Sequence, residues 1–205
     1  MKEIEMSEIV ELFLFLEPGA NPDEDRVVQN FGESESLLVW VPDGTAAAKV
    51  AAEEVARGVR LMELYRGFDL ESAAQVIDAV DGRAAVGVAG FGFGIATARP
   101  IRDSATIFVG HPSADPAVHR VTRAHAGGGR TTAVAAPDSA AAAAVALELV
   151  GHGAELIEIC GGASLLAARD VRAAVGDRVA VSLVSWPVDS IERAAAFKAD
   201  FDAAH

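Results

Sequence analysis

Gly153-Ala154-Glu155-Leu156-Ile157-Glu158-Ile159-Cys160-Gly161-Gly162 reads as a short apolar strand running into a tight turn. The same pattern stands 95 residues earlier as Gly58-Val59-Arg60-Leu61-Met62-Glu63-Leu64-Tyr65-Arg66-Gly67. Side chains alternate along a strand. Met62 and Leu64, like Ile157 and Ile159, therefore face one side, toward covering helices. Glu63 and Tyr65, like Glu158 and Cys160, face the other. Two carboxylates at matching positions in the middle of apolar strands are costly unless paired or protonated.

Working outward, the offset of 95 persists. Positions 58–86 and their counterparts share 12 identities over 29 positions, among them Gly58/Gly153, Glu63/Glu158, Gly67/Gly162 and Arg83/Arg178. Pro42-Asp43 returns as Pro137-Asp138. Nearer the start of each copy the offset is 94, where Pro18, Ala20, Pro22, Arg26 and Val27 match Pro112, Ala114, Pro116, Arg120 and Val121. Matches in Pro, Gly, Glu and Arg argue against chance similarity of Ala/Val-rich segments. The chain is read as two diverged repeats, 1–100 and 104–205, that together make one compact domain.

In each repeat, apolar runs alternate with helical patterns. Strands are expected near 11–16, 37–41, 60–65 and 84–90, then 105–109, 131–136, 154–159 and 179–185. Helices are expected near 22–30, 45–57, 70–80, 115–125, 139–151, 164–175 and 189–203. Asp43 and Asp138 are N-cap candidates, and Gly58 and Gly153 close the same helices. The segment Phe91 to Arg99 is too rich in Gly to read as a helix. Strand–helix alternation implies a parallel sheet. Eight strands in two (βα)4 halves predict a closed (βα)8 barrel of the TIM type, short for that fold. The alternative is two open parallel-sheet α/β units packed together.

In a barrel Glu63 and Glu158 point into the lumen. Two readings are open. They are general acid/base groups with raised pKa, or they are tied to an arginine such as Arg178 or Arg83 for structural reasons. Cys160-Gly161-Gly162 lies at the carboxyl end of its strand, where α/β ligand sites form. The glycine amides can approach an anion, and a thiol there can be activated by a helix N-terminus. The other repeat has Tyr65 and Arg66 instead, so Arg66 can clamp a carboxylate or phosphate. Glu17 ends the first strand where the second repeat has His111, a usable acid/base. Phe91 and Trp186 end matching strands and can wall a pocket. No metal-ligand spacing and no dinucleotide fingerprint is present.

The Gly153–Gly162 stretch, with the turns Pro18-Gly19-Ala20-Asn21-Pro22 and Pro112-Ser113-Ala114-Asp115-Pro116, resembles a small bacterial α/β domain family of unknown function. That family has a Glu-Leu-Cys-Gly-Gly-like signature after a Pro-Gly-Ala-Asp-Pro-like turn, usually once per chain. Tyr65-Arg66 departs from the signature. The resemblance implies the α/β fold and the doubled architecture, and carries no established activity. It also implies that a single-copy relative could build the same object from two chains.

The chain has 205 residues, 51% of them hydrophobic, and a formal net charge of −13. That charge repels nucleic acid and anionic lipid, so neither is an expected partner. A lone cysteine, Cys160, rules out an internal disulfide and fits a reducing compartment. The acidic start Met1-Lys2-Glu3-Ile4-Glu5 and the short apolar run Leu12–Leu16 are not a signal or spanning segment. A cytoplasmic protein is expected. The expected function is a small-molecule enzyme with cofactor-independent acid/base chemistry, an isomerase or lyase acting next to a carbonyl. Glu158 and Glu63 carry it, with Cys160, Tyr65 and His111 as further catalytic candidates. Arg66, Gly161, Gly162, Glu17, Trp186 and Phe91 bind a substrate for which an anionic group is one option. The competing class is a non-catalytic small-ligand-binding or assembly module, and homo-oligomerisation stays open.

Overall fold

The computed structural model describes residues 9–31, 35–90 and 101–204. The first repeat runs β1 (Glu11–Leu16), β2 (Arg26–Asn30), β3 (Glu35–Val41), α1 (Gly44–Ala56), β4 (Leu61–Tyr65), α2 (Leu70–Val80) and β5 (Ala85–Gly90). The second runs β6 (Asp103–Val109), β7 (Arg120–Ala124), β8 (Arg130–Ala136), α3 (Ser139–Gly151), β9 (Leu156–Ile159), α4 (Leu165–Val175) and β10 (Ala180–Ser185). A final helix, α5 (Val188–Ala204), follows. Asp43 and Asp138 cap α1 and α3 as expected from the sequence, and Asp69 and Ser164 cap α2 and α4 in the same way. The side chains of Asp43, Asp69, Asp138 and Ser164 accept from the amides of Ala46, Ser72, Ala141 and Ala167.

Among the described residues the ten strands form one sheet in the order β2-β3-β1-β4-β5-β10-β9-β6-β8-β7. Within each repeat four strands are parallel and the outermost, β2 or β7, is antiparallel to its neighbour. The repeats join through β5 and β10, which pair antiparallel with Ala89 opposite Val184. These two are counterparts at the offset of 95, so a pseudo-two-fold axis passes through that pair. The sheet curls into an almost closed barrel. Phe108 of β6 packs on Phe13 of β1 and Phe31 at ring separations of 4.5 and 4.6 Å, and Arg123 of β7 reaches Asp25 at 2.6 Å.

This corrects the expectation of a (βα)8 barrel, and equally that of two separate parallel sheets. Residues expected as helices at 22–30 and 115–125 are instead a turn followed by β2 and β7. Parallel β1 and β3 need the chain to return the length of the sheet between them. An extended segment covers about 3.3 Å per residue against 1.5 Å for a helix. Arg26-Val27-Val28-Gln29-Asn30 makes that return at the edge, leaving Val28 48% exposed. A return strand replaces the first helix of each repeat, and the antiparallel β5–β10 joint replaces parallel closure.

The outer faces bury Leu12, Leu14, Val39, Met62 and Leu64 against α1 and α2, and Ile107, Val134, Ile157 and Ile159 against α3 and α4. Among the described residues no helix is long and apolar enough to cross a membrane. Phe91 and the segment to Arg99 lie outside the described residues.

Candidate functional site

The inner face of the curled sheet carries the chemistry, and its two halves differ in kind. From the first repeat it takes Phe13, Phe15, Leu38, Trp40, Leu61 and Tyr65. At the matching positions the second repeat holds Thr106 for Phe13, Ala133 for Leu38, Ala135 for Trp40 and Cys160 for Tyr65, while Phe108 and Leu156 stand for Phe15 and Leu61. Large side chains of one half thus fill space left by small ones of the other.

Glu63 and Glu158 both point inward and are 2% exposed. Each is tied to the opposite repeat. Glu63 Oε1 accepts from the Gly161 amide at 2.7 Å, and Glu158 Oε1 accepts from the Arg66 amide at 3.0 Å. Gly161 and Arg66 are themselves counterparts, so the two bonds are one contact repeated by the pseudo-axis. The arginine partners foreseen for these carboxylates are engaged elsewhere. Arg83 and Arg178 donate to the carbonyls of their own helix ends, at Val80 and Ala79 and at Val175 and Ala174.

Around Glu63 the interior opens into a pocket of about 410 Å³. Glu11, Ser36, Cys160, His111 and Trp186 line it, and α5 closes it with Phe197, Lys198 and Phe201. Tyr65 Oη donates to Glu63 Oε2. Burial pushes the Glu63 carboxyl up to about 7, against the pull of the Tyr65 hydroxyl and the Gly161 amide. Burial and the Glu63 charge push the Cys160 thiol up to about 12. That thiol is protonated at neutral pH and accepts from the Val109 amide at 3.4 Å, so it is no ready nucleophile. Gly161 must lack a side chain: a Cβ there would sit 2.6 Å from Trp186 and 2.7 Å from Glu63 Oε1.

Around Glu158 the corresponding space is filled by Arg66. Its Nη1 donates to Ser104 Oγ at 2.7 Å and Thr131 Oγ1 at 2.8 Å, and its Nε donates to the Leu16 carbonyl at 2.9 Å. These bonds hold a non-glycine residue at φ 71°, in the left-handed region. Burial lowers the pKa of Arg66, opposed chiefly by the Glu158 charge. Burial also raises the Glu158 carboxyl to about 7, opposed by the Arg66 amide and guanidinium. Nearby, buried Glu17 lies 3.5 Å from Arg123 Nε and 3.7 Å from His125 Nε2.

The structure therefore gathers Glu63, Cys160, His111, Gly161, Gly162 and Trp186 at one pocket. It sets Glu158, Arg66 and Glu17 in the filled second interior, and Tyr65 behind Glu63. The expected anion clamp does not form. The Gly161 amide is used by Glu63, the Gly162 amide faces the Cys160 sulfur, and Arg66 is used by Ser104, Thr131 and Leu16. Sequence reasoning passed over Glu11 and Ser36, and over Lys198, Phe197 and Phe201 of α5. Glu11 was accessible from alternation, since Glu11, Phe13 and Phe15 share one face of β1, whereas Ser36 lies just before the strand expected at 37–41. The α5 residues were not, because that helix belongs to the second repeat and crosses onto β4 and β5 of the first.

No curated protein and no solved structure matches the chain. The profile of a family of unknown function, DUF6506, matches residues 10–97 and again residues 102–199. The second match begins just before β6, where the structure begins its second set of strands. The chain belongs to the DUF6506 family and carries that family's unit twice in tandem.

Proposed function

We propose that the pocket at Glu63 is a small-molecule site at which this carboxyl exchanges a proton with its ligand, without a cofactor, as an isomerase or lyase acting next to a carbonyl. The observation that carries the reading is a buried carboxyl with a pKa of about 7 in the wall of a 410 Å³ pocket. General acid/base groups work best with a pKa near the operating pH, and the volume suits a metabolite-sized ligand. The Gly161 amide and Tyr65 hydroxyl hold the carboxyl in place. Each carboxylate oxygen keeps a second lone pair for the ligand's proton.

In this reading the Glu63 carboxylate removes a proton from the carbon beside a carbonyl, and the C–H electron pair moves onto the carbonyl oxygen as an enolate. Lys198 and His111 are the pocket's cationic or cation-forming groups and offset that charge. With a hydroxyl on that carbon, an isomerase moves the hydroxyl proton to the enolate oxygen and returns the carbon-bound proton to the former carbonyl carbon, so that the carbonyl changes place. A lyase lets the electron pair expel a leaving group from the next carbon, which departs with the proton.

The test is exchange in D2O. A panel of small carbonyl compounds is incubated with the protein, and loss of C–H signal is followed by proton NMR. Exchange is expected with the native chain and with Glu158→Gln, and is expected to fall at least a hundredfold in Glu63→Gln. Exchange that persists in Glu63→Gln overturns the assignment. A second reading is favoured by one observation: both Glu63 oxygens already have protein partners, and Glu158 mirrors the amide bond. The two carboxyls then only tie the repeats together, and the chain is a non-catalytic small-ligand-binding or assembly module. Ligand binding without exchange in D2O separates it from the first.

A further inference from the structure

The pseudo-axis lets one half of the interior report on the other. Arg66 occupies the second interior with its guanidinium on three acceptors: Ser104 Oγ, Thr131 Oγ1 and the Leu16 carbonyl. Strand register gives the counterpart of each. Ser104 and Thr131 stand beside Leu156 and each other as Glu11 and Ser36 stand beside Leu61 and each other. Leu16 is opposite Val41 as Val109 is opposite Ala136. Arg66 itself corresponds to Gly161. All four counterparts, Glu11, Ser36, Val109 and Gly161, line the open pocket.

The pocket is thus the guanidinium seat without its guanidinium, and the seat has gained a carboxylate where the filled one has a serine. Ser36 Oγ donates to Glu11 Oε2 at 2.7 Å, which fixes that carboxylate beside Ser36 in the pocket lining. Glu63 stands one strand over. Of the two basic groups in the described lining, Lys198 is ion-paired to Asp202 on its own helix and His111 is the other. Aromatic rings of Phe13, Phe31, Phe108 and Phe197 surround the rest of the space, and suit both an apolar body and the face of a cation. A net charge of −13 favours arrival of a cation.

We infer that the pocket takes a small guanidino compound, its cationic head between Glu11, Ser36 and the Val109 carbonyl and its body running along the aromatic wall past Glu63. The inference rests on the pocket being a small-molecule site, as proposed above, and names the class of molecule. A planar guanidinium matches a carboxylate in a two-pronged geometry that an ammonium does not. Gly161 is what keeps the seat open, since any side chain there meets Trp186 and Glu63.

Three probes that share a benzene ring and differ in charge decide the matter by calorimetric titration of the native chain: phenylguanidine, benzyl alcohol and benzoate. Phenylguanidine is expected to bind at least tenfold more tightly than the other two. Glu11→Gln is expected to weaken phenylguanidine at least tenfold and to leave benzyl alcohol within twofold. If benzyl alcohol or benzoate binds as tightly as phenylguanidine, the pocket is a ligand site without cation preference. The inference then falls while the proposed site stands. If none of the three binds, the site reading falls and takes the inference with it. Phenylguanidine held equally well by Glu11→Gln sits elsewhere on the acidic surface, which also overturns the inference. The comparison of probes on the native chain stands even if Glu11→Gln does not fold.

Discussion

Glu63 and Glu158 share a strand position, a depth of burial and an amide donor from the opposite repeat, yet Glu63 lines the pocket while Arg66 packs beside Glu158. Their neighbours explain this. Phe13 and Gly87 flank Glu63 across the ladder, whereas Thr106 and Ser182 flank Glu158. Behind Glu158 the Arg66 side chain closes the interior, and at Gly161 there is none. Both carboxyls hold their protons to about pH 7 in the folded chain, against 4.5 without burial. The folded state therefore binds more protons than the unfolded state between those values. Stability from each group is complete below about pH 4.5, declines as pH rises toward 7 and is level above it. Each carboxyl should remove about 2–3 kcal/mol of stability between pH 5 and pH 8. Urea denaturation at the two pH values checks this. Glu158→Gln is expected to shrink the native chain's loss on going to pH 8 by about that amount, and an unchanged loss would show Glu158 to be ionised at low pH.

Among the elements, the helices that cover the outer faces begin where a short polar side chain meets a backbone amide. Asp43 and Asp138 are counterparts that cap α1 and α3 with bonds of 2.9 and 2.8 Å. Removing either cap as Asp43→Ala or Asp138→Ala should cost about 1 kcal/mol, read as a lowered urea midpoint with unchanged slope. Equal effects are expected because the capping geometry is the same in both repeats. The edge strands β2 and β7 are likewise equivalent, and each is tied to its own repeat in the same way. Arg26 of β2 bonds Glu54 on α1 at 2.6 Å, and Arg120 of β7 bonds Glu148 on α3 at 2.7 Å. These ties pin each return strand to the first helix of its repeat. Helix α5 breaks the symmetry. Ser190 Oγ accepts from the Val86 amide of β5 at 2.9 Å, and Arg60 pairs with Asp200 at 2.9 Å. The last helix of the second repeat thereby forms one wall of the first repeat's pocket.

At the scale of the molecule, two family units share one core instead of keeping two. The inner cluster draws Phe13, Phe15, Trp40 and Tyr65 from one repeat and Phe108, Ala133, Ala135 and Cys160 from the other. Phe15 stacks between Trp40 and Tyr65 at 5.1 and 5.2 Å, and Phe108 reaches Phe13 and Tyr65 across the interior. A core divided in this way unfolds as a unit. A single transition is expected by fluorescence and circular dichroism. Phe108→Ala should lower its free energy by about 3–5 kcal/mol without splitting it. Two separated transitions would show that each repeat is stable alone.

Alternation along β4 and β9 sufficed to place Glu63, Tyr65, Glu158 and Cys160 on one face, and the offset of 95 sufficed to pair them, because strand parity and duplication are local properties of the chain. Helices α1 to α5 were legible for the same reason, each having its own period and, in α1 and α3, its own cap. The return strands β2 and β7 were not, since five-residue segments such as Arg-Val-Val-Gln-Asn and Arg-Val-Thr-Arg-Ala suit a helix turn or an edge strand alike, and the sheet's need for a chain running back chose between them. Nor could the sequence tell which carboxyl borders a cavity. That was decided in three dimensions, where the curl of the sheet carries Arg66 into one half of the interior, leaves Gly161 at the same point of the other, and lays α5 across the opening.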